Sequence, residues 1–229
     1  DDAVASHGFK VTEASRGGNV NELLCSNPSE RTVLIVQGEL LTGGKQDRMV
    51  SFDILLGPGM CAKVPVNCVE SGRWHHESEH LSPSREMAPE SFRHKGVTAK
   101  GGALSSRAAA NNQREVWGEI SDTLHRRCGR TETSSIHNLF LAKADHELRD
   151  AAAAYRPVPD QVGHVIVERG EPVKAELFGD PDLYAHYCQA LLRAALRRRH
   201  RAEWGPQMAF GPDTETAVGR FLTRALSAS

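Results

Sequence analysis

Residues 32–74 constrain the fold of this chain most strongly, because they contain the clearest strand patterns in the sequence. Apolar and polar residues alternate over residues 49–56, and a second alternating run begins at Met60, after the turn Gly57-Pro58-Gly59. Alternation is typical of a strand with one buried face, and two such runs around a short Gly/Pro turn indicate a β-hairpin. We therefore predict an antiparallel hairpin over residues 49–66.

The same alternation predicts which side chains beyond the hairpin face the core. If the second strand continues past Val66, Cys68 and Glu70 lie on its apolar face. A carboxylate on an apolar face needs a partner or a raised pKa, and Arg73 is the obvious nearby cation. The alternative is that Glu70 lies beyond the strand end in solvent, or pairs with Arg73 only to brace the turn.

Helical patterns dominate the second half of the chain, where apolar residues recur at spacings of three and four. Helices are predicted over residues 105–125, 135–155, 180–196 and 214–226. A second hairpin is predicted over residues 163–178. Residues 75–102 are rich in His, Ser and Pro with little periodicity, and they are predicted to form a long loop.

These patterns together predict an α+β fold, in which antiparallel β-hairpins form a mixed sheet with three to four helices packed against it. The 229 residues are interpreted as a single domain, with residues 1–104 mainly β and residues 105–229 mainly α. The second hairpin has too little sequence around it to build a separate core. Strands and helices do not alternate regularly along the chain, which argues against a doubly wound parallel sheet.

Composition excludes several functional classes. The formal net charge is −1, so no basic surplus predicts a nucleic-acid partner or an acidic membrane surface. No apolar run approaches the ~18 residues of a membrane span. The five cysteines are odd in number and form no C-x-x-C pair, which favours the reducing cytoplasm over a disulfide framework or a zinc ribbon. Nothing in the sequence sets the oligomeric state.

A glycine-rich run over residues 38–48 superficially resembles a phosphate-binding P-loop. It fails that pattern, because the lysine stands one place late and Gln46 occupies the position of the Ser or Thr that would hold magnesium. What remains is a set able to bind an anion such as a phosphate or a carboxylate. Its members are Gly43, Gly44, Lys45, Gln46 and Arg48. The alternative is a glycine turn with solvated charges.

Cysteine and histidine side chains raise two further possibilities, a nucleophilic site and a metal site. Cys68 is a candidate nucleophile, but a cysteine on an apolar strand face is more often a small buried hydrophobe, and no local spacing pairs it with a histidine. The histidines within residues 75–94 show no H-E-x-x-H or comparable ligand spacing, so no metal site is predicted. No cofactor is predicted.

Three runs in the central stretch, residues 38–40, 43–48 and 64–74, resemble a known family. The family is the ARG and rhodanese-phosphatase-superfamily-associated protein domain, where ARG stands for ADP-ribosylglycohydrolase. Its pattern reads G-E-E-L-x-G-A-K-Q-N-R, followed by I-P-V-S-C-V-E-x-G-R-W. Three departures from it are Leu40 for the second glutamate, Gly44 for the alanine and Asp47 for the asparagine. If that glutamate or that asparagine contacts a ligand in the family, this chain binds differently or not at all.

The resemblance implies a link to ADP-ribose and phosphate-handling domains, and hence a first hypothesis. The domain would bind or process an ADP-ribose, NAD-derived or other phosphorylated small ligand, and an ADP-ribose-handling protein is a second kind of partner. The residues assigned to ligand binding are Gly43, Gly44, Lys45, Gln46, Arg48, Arg73 and Trp74. The candidate catalytic residues are Glu70, Glu39 and Cys68. Whether the domain is an enzyme stays open at this point.

The second hypothesis is a non-catalytic interaction or structural domain. Its charged central motif would be a buried polar network that satisfies itself without a ligand. The members of that network would be Glu39, Lys45, Asp47, Arg48, Glu70 and Arg73. Geometry separates the two hypotheses, because these side chains must either open onto a concave pocket or close on one another.

Overall fold

The computed structural model describes residue 3 and residues 8–96, 106–127, 132–141, 143–197 and 212–227. The chain divides into two compact units, residues 1–148 and residues 149–229. The interpretation of the chain as a single domain stays a prediction. None of the helices in the described ranges is long and apolar enough to cross a membrane.

Six strands of the first unit form a closed barrel in which every pairing is antiparallel. In barrel order they are β1 (Lys10–Glu13), β2 (Glu22–Ser26), β7 (Cys61–Cys68), β5 (Arg48–Val50), β4 (Glu39–Gly43) and β8 (Leu81–Met87). Two further strands, β3 (Val33–Ile35) and β6 (Ile54–Leu56), pair with each other in a separate sheet. Closure leaves the barrel itself without edge strands.

Alternation along the strands fills the barrel with apolar side chains. Val50 of β5 and Val64 and Val66 of β7 are buried in one interior core. Because successive strand residues point to opposite faces, Arg48 lies on the same inward face as Val50, and Cys68 on the same face as Val66. The barrel interior is therefore apolar along most of its length and polar at one end.

Helices cover the outer face of β4 and β5. They are α1 (Glu90–Gly96), α2 (Ser106–Arg127) and α3 (Asn138–Leu141). A further helix, α4 (Lys143–Ala154), runs across the boundary between the two units in the sequence. Leu40 of β4 and Met49 of β5 are buried in a second core with Phe92 of α1 and with Val116 and Ile120 of α2. Both faces of β4 and β5 are thus buried, which explains why these strands carry apolar residues at consecutive positions.

The second unit contains a hairpin and two helices. Its elements are β9 (Gly163–Glu168), β10 (Glu171–Leu177), α5 (Pro181–Leu196) and α6 (Pro212–Ser227). The two strands pair antiparallel, as predicted for residues 163–178. Asp180 caps α5 by accepting a hydrogen bond from the backbone N–H of Leu183, and Pro181 occupies the first turn, where a backbone N–H has no helical partner.

The structure confirms an α+β fold with antiparallel pairing but corrects its arrangement. The main sheet is a closed barrel rather than a mixed sheet, and the described ranges contain six helices rather than three or four. The helix predicted over residues 135–155 is two elements, α3 and α4. Periodicity reports local structure only, whereas barrel closure requires pairings between distant strands such as β1 and β8.

The hairpin predicted over residues 49–66 is only partly correct. Strand β5 does pair antiparallel with β7, but the first alternating run breaks at residues 51–53 and its second half, β6, joins β3 instead. At the break, the carboxylate of Asp53 accepts a hydrogen bond from the backbone N–H of Gln37 at 2.7 Å. This contact lies where the chain leaves the barrel, just before β6 begins.

The long loop predicted over residues 75–102 is also wrong in part. It contains strand β8 and helix α1, and residues 97–102 lie outside the described part of the chain. Strand β8 has the sequence LSPSREM, which is too polar to show the alternation of a strand. It forms because β4 on one side and β1 on the other supply its hydrogen-bonding partners, and tertiary pairing outweighs weak local propensity.

Candidate functional site

The candidate site lies at the polar end of the barrel, where the turn between β4 and β5 meets the segment after β7. Gly43 and Gly44 form this turn with φ values of +102° and +56°, which glycine adopts without strain. Gly43 donates its backbone N–H to Asp47 Oδ1 at 3.3 Å, and Gly44 donates to Ser78 Oγ at 3.1 Å. The two glycines therefore shape the turn, and their N–H groups bond within the protein.

Asp47, Glu70 and Arg73 form a closed and buried cluster, here called the Asp47 network. Glu70 Oε2 accepts from Arg73 Nε at 3.0 Å and Nη2 at 2.7 Å, and from the backbone N–H of Asp47 at 3.0 Å. Arg73 also bonds Asp47 Oδ1 at 3.2 Å and the carbonyl of Gly44 at 2.9 Å. Ser135 completes the network by donating to Asp47 Oδ2 at 2.8 Å. The pairing of Glu70 with Arg73 that alternation indicated is present.

Contacts within the Asp47 network shift the pKa values of its own members. Burial raises the pKa of Glu70, but hydrogen bonds from Arg73 and from the backbone of Asp47 outweigh it, so this pKa is lowered overall. Burial lowers the pKa of Arg73, yet its bonds to Glu70 and the charge of Asp47 raise it overall. The pKa of Asp47 is raised, chiefly by burial. Glu70 is therefore held ionised as a hydrogen-bond acceptor, which does not suit a general acid or base.

Acid is expected to destabilise the first unit through Glu70. Because the folded-state pKa is below its usual value of 4.5, the unfolded chain binds the proton first, and the free energy of unfolding falls as the pH drops through 4.5 towards the folded pKa. The raised pKa of Asp47 has the opposite effect, because the folded chain binds this proton more readily than the unfolded chain. The stability that Asp47 contributes is therefore present at low pH and is lost as the pH rises through its folded-state pKa.

Denaturant titrations of the wild type and of Glu70→Gln at several pH values measure this effect. Below about pH 5, the dependence of the unfolding free energy on pH should be smaller in Glu70→Gln by up to about 1.4 kcal/mol per pH unit. Glu22→Gln removes a half-exposed carboxylate of β2 and should keep the wild-type dependence. If the unfolding free energy depends on pH equally in the wild type and in Glu70→Gln, the lowered pKa of Glu70 is contradicted.

Cys68 is buried beside the Asp47 network. Its sulfur lies 3.0 Å from Gln46 Oε1 and 2.9 Å from the carbonyl of Glu70, and the single thiol proton can be donated to either acceptor. Its backbone N–H and C=O both bond the side-chain amide of Gln113 in α2, at 2.8 and 2.7 Å. Burial raises the pKa of the Cys68 thiol, which keeps it protonated and weakly nucleophilic. The geometry favours a packing role for Cys68 over a nucleophilic one.

Glu39 stands apart from the other predicted site residues. It begins β4, and Gly43 ends the same strand roughly 13 Å away at the usual rise per residue. Glu39 Oε2 accepts a hydrogen bond from the backbone N–H of Val36 at 2.9 Å. The structure therefore places Glu39 at the opposite end of β4 from the Asp47 network.

A second part of the site, the barrel mouth, is formed by Glu13, Lys45, Arg48 and Trp74. Arg48 points into the barrel and is 0% exposed. Its Nη1 lies 3.4 Å from both Gln46 Oε1 and the carbonyl of Asp47, and its Nη2 lies 3.6 Å from Glu13 Oε1. Among the described residues, Arg48 Nε and Nη2 have no hydrogen-bond acceptor, and Glu13 Oε2 has no hydrogen-bond donor. Buried polar groups without a hydrogen-bond partner are rare in native proteins.

Trp74 and Lys45 cover the Arg48 side chain. Lys45 Nζ lies 5.4 Å, and Arg48 Cζ 5.9 Å, from the centre of the Trp74 ring, and Trp74 is 47% exposed. Lys45 Nζ also donates to the carbonyls of Arg16 at 3.1 Å and Gly17 at 2.8 Å, both in the loop between β1 and β2. The barrel mouth therefore sets two cations against one aromatic ring.

The predicted ligand-binding set is divided between these two places. Gln46 belongs with the buried groups around Asp47, because its side-chain amide donates to the carbonyl of Glu70 at 2.7 Å. Arg73 is held in the Asp47 network itself, whereas Lys45, Arg48 and Trp74 meet at the barrel mouth.

Sequence reasoning missed Glu13, Ser78 and Ser135. Glu13 does have a sequence signal, because it follows the buried Val11 by two positions in β1 and so shares its inward face. Ser135 has none, since it reaches Asp47 across 88 positions of sequence. Within the described ranges, no group of three or more His, Cys, Asp or Glu side chains is placed to hold a metal ion.

Comparison with known proteins identifies the family of the chain. The family model of the ARG and Rhodanese-Phosphatase-superfamily-associated Protein domain matches residues 1–229. The chain therefore belongs to this family, which confirms the resemblance seen in residues 38–48 and 64–74. No curated protein and no solved structure matches the chain significantly. The family description records an association with other proteins and names no ligand.

Proposed function

We propose that this family member binds a small phosphate-bearing ligand, held at the barrel mouth by Arg48. The supporting observation is a fully buried guanidinium whose Nε and Nη2 have no acceptor among the described residues. These two nitrogens form one edge of the guanidinium, and such an edge binds a phosphate or a carboxylate through two parallel hydrogen bonds. Leaving a buried donor unsatisfied costs about 1–3 kcal/mol, and a bound oxyanion would remove that cost.

Lys45 and Trp74 complete the proposed site with a second cation and an aromatic face. The ligand would reach it past the loop between β1 and β2, because this loop closes over the barrel mouth. A Cβ added to Gly18 of the loop would lie only 3.0 Å from Lys45 Cδ and 3.3 Å from the Trp74 ring. A ligand phosphate would compete with the carbonyls of Arg16 and Gly17 for Lys45 Nζ, and so would release the loop.

Binding without turnover is the function that the residues support best. The Cys68 thiol is kept protonated by burial, and Glu70 is kept ionised by Arg73. Neither is therefore poised for nucleophilic or acid–base chemistry. In this proposal the Asp47 network stabilises the turn that presents Lys45 and Arg48 to the ligand.

Within the phosphate-bearing class, the family association favours an ADP-ribose or NAD-derived ligand and an ADP-ribose-handling protein as a partner. We place this activity in the cytoplasm. The four cysteines of the described ranges, Cys25, Cys61, Cys68 and Cys188, are free thiols, as suits a reducing compartment.

A phosphate-bearing ligand is expected to raise the midpoint of thermal unfolding. At ~100 times its dissociation constant, a ligand adds about 2.7 kcal/mol of stability, which corresponds to roughly 5–10 °C in a chain of this size. The measurement compares inorganic phosphate, ADP-ribose and NAD, each at millimolar concentration. Arg48→Lys keeps the charge but loses the pair of parallel N–H donors that the guanidinium provides, so the shift of the unfolding midpoint should be largely lost. Arg31→Lys, at an exposed arginine, should retain it.

No shift with any of the three compounds would overturn the proposed ligand site. An equal loss of the shift in Arg31→Lys would show that the response is a general charge effect and not binding at Arg48. The second candidate function is a non-catalytic interaction domain, which the closure of the Asp47 network on itself favours. With no ligand response, this second function would account for the charged motif as structural support.

A further inference from the structure

Building on the proposed function, we infer that the ligand carries a hydroxyl group next to its phosphate, so that it is a phosphorylated sugar or polyol. The inference comes from Glu13, whose side chain is 5% exposed. Glu13 Oε1 accepts from the backbone N–H of Lys45 at 2.9 Å and lies 3.6 Å from Arg48 Nη2. Glu13 Oε2 is buried as well and receives no hydrogen bond from any described residue.

The unbonded groups of Glu13 and Arg48 lie at one place, beneath Trp74 and Gly18. A Cβ added to Gly18 would lie 3.4 Å from Glu13 Oε2 and 3.3 Å from the Trp74 ring. Arg48 Cζ lies 5.9 Å from the centre of the same ring. One acceptor and two donors without partners are therefore neighbours at the barrel mouth.

A phosphate group alone does not match this set. A carboxylate only accepts hydrogen bonds, and the oxygens of a fully ionised phosphate ester do the same, so such a phosphate against Glu13 would bring two anions together with no proton between them. An ammonium group would donate to Glu13 but would be repelled by Arg48 and Lys45. A neutral hydroxyl donates to Glu13 Oε2 and adds no charge, and the half-exposed ring of Trp74 offers apolar surface to the carbon atoms that bear it.

Glycerol 3-phosphate and n-propyl phosphate test this inference, because they differ only in the two hydroxyl groups of the former. Isothermal titration of the full chain should show that glycerol 3-phosphate binds about tenfold more tightly or better, as expected for a hydrogen bond to a buried charged group. This comparison uses the wild type and depends on no variant.

Glu13→Gln tests whether Glu13 is the residue that recognises the hydroxyl. Glutamine keeps an oxygen for the backbone N–H of Lys45 and places an NH₂ group at the position of Oε2, so an acceptor becomes a donor. The ligand hydroxyl can still accept from this NH₂ group, but a hydrogen bond between neutral groups is weaker than one to a carboxylate, so the preference for glycerol 3-phosphate should fall by about fivefold or more. n-Propyl phosphate should bind at least as well as before, because a negative charge is gone. Glu22→Gln, on the outer surface of β2, is the matched control and should keep the full preference.

The outcomes separate this inference from the proposed function. Equal affinity of the wild type for the two compounds would overturn the inference that the ligand carries a hydroxyl group. The proposed phosphate binding would remain in place. A preference that stays undiminished in Glu13→Gln would overturn the assignment to Glu13. If neither compound nor inorganic phosphate binds, both proposals are overturned.

Discussion

Arg73→Met is expected to lower the free energy of unfolding of the first unit by about 3–5 kcal/mol. The Arg73 guanidinium gives two hydrogen bonds to Glu70 Oε2, at 3.0 and 2.7 Å, and a third to Asp47 Oδ1 at 3.2 Å. All three side chains are buried, so removing the guanidinium leaves two buried carboxylates without the cation that both contact. Methionine fills much of the volume and adds no polar group. Denaturant titration followed by tryptophan fluorescence in a Trp204→Phe background measures the loss, because the two remaining tryptophans, Trp74 and Trp117, both belong to the first unit.

Two further variants show whether the loss comes from the network. Arg31→Met, at an exposed arginine, should change the free energy of unfolding by no more than about 0.5 kcal/mol. The double variant Glu70→Gln with Arg73→Met should lose less than the sum of its single variants, because a neutral Glu70 position no longer needs the cation. A loss below about 1 kcal/mol in Arg73→Met would contradict the view that the Asp47 network stabilises the turn.

The contact between Glu70 and Arg73 is predictable from sequence because it is local. The alternation of the strand places Glu70 on the buried face, and a buried carboxylate requires a nearby cation. The inward direction of Arg48 is predictable on the same basis, since Arg48 precedes the buried Val50 by two positions. The family was recognised from the same stretch, and its model extends over the whole chain.

The division of the charged motif into two places is not predictable in this way. Lys45, Asp47 and Arg48 are near neighbours in sequence, yet Asp47 faces Arg73 while Arg48 enters the barrel. What each side chain meets on its own side depends on closure of the barrel by β8, a strand whose own sequence has no clear strand pattern. It depends equally on Ser135, which approaches Asp47 from far along the chain. Local periodicity carries no information about either contact.

The largest effect at the barrel mouth is expected from replacing Arg48 and Glu13 together. In the double variant Arg48→Met with Glu13→Gln, the free energy of unfolding of the ligand-free protein should rise by about 1–4 kcal/mol. The pair is buried, its two side chains come no closer than a 3.6 Å contact, and three of its polar atoms have no hydrogen-bond partner among the described residues. The uncharged pair gives up only the two long contacts of Arg48 Nη1, each at 3.4 Å. Glutamine at position 13 still accepts from the backbone N–H of Lys45. The unfolding midpoint of this variant should no longer respond to inorganic phosphate or to glycerol 3-phosphate.

The single variant Arg48→Met is the control that separates the two roles of the pair. It should be less stable than the wild type, because Glu13 then remains buried without a cation. A double variant that gains stability and loses binding would show that the pair is retained for its ligand, since a binding site carries groups that only the ligand satisfies. If the double variant instead loses more than about 1 kcal/mol, the pair stabilises the barrel by itself. Arg48 would then belong, with Arg73, to the structural support of the fold.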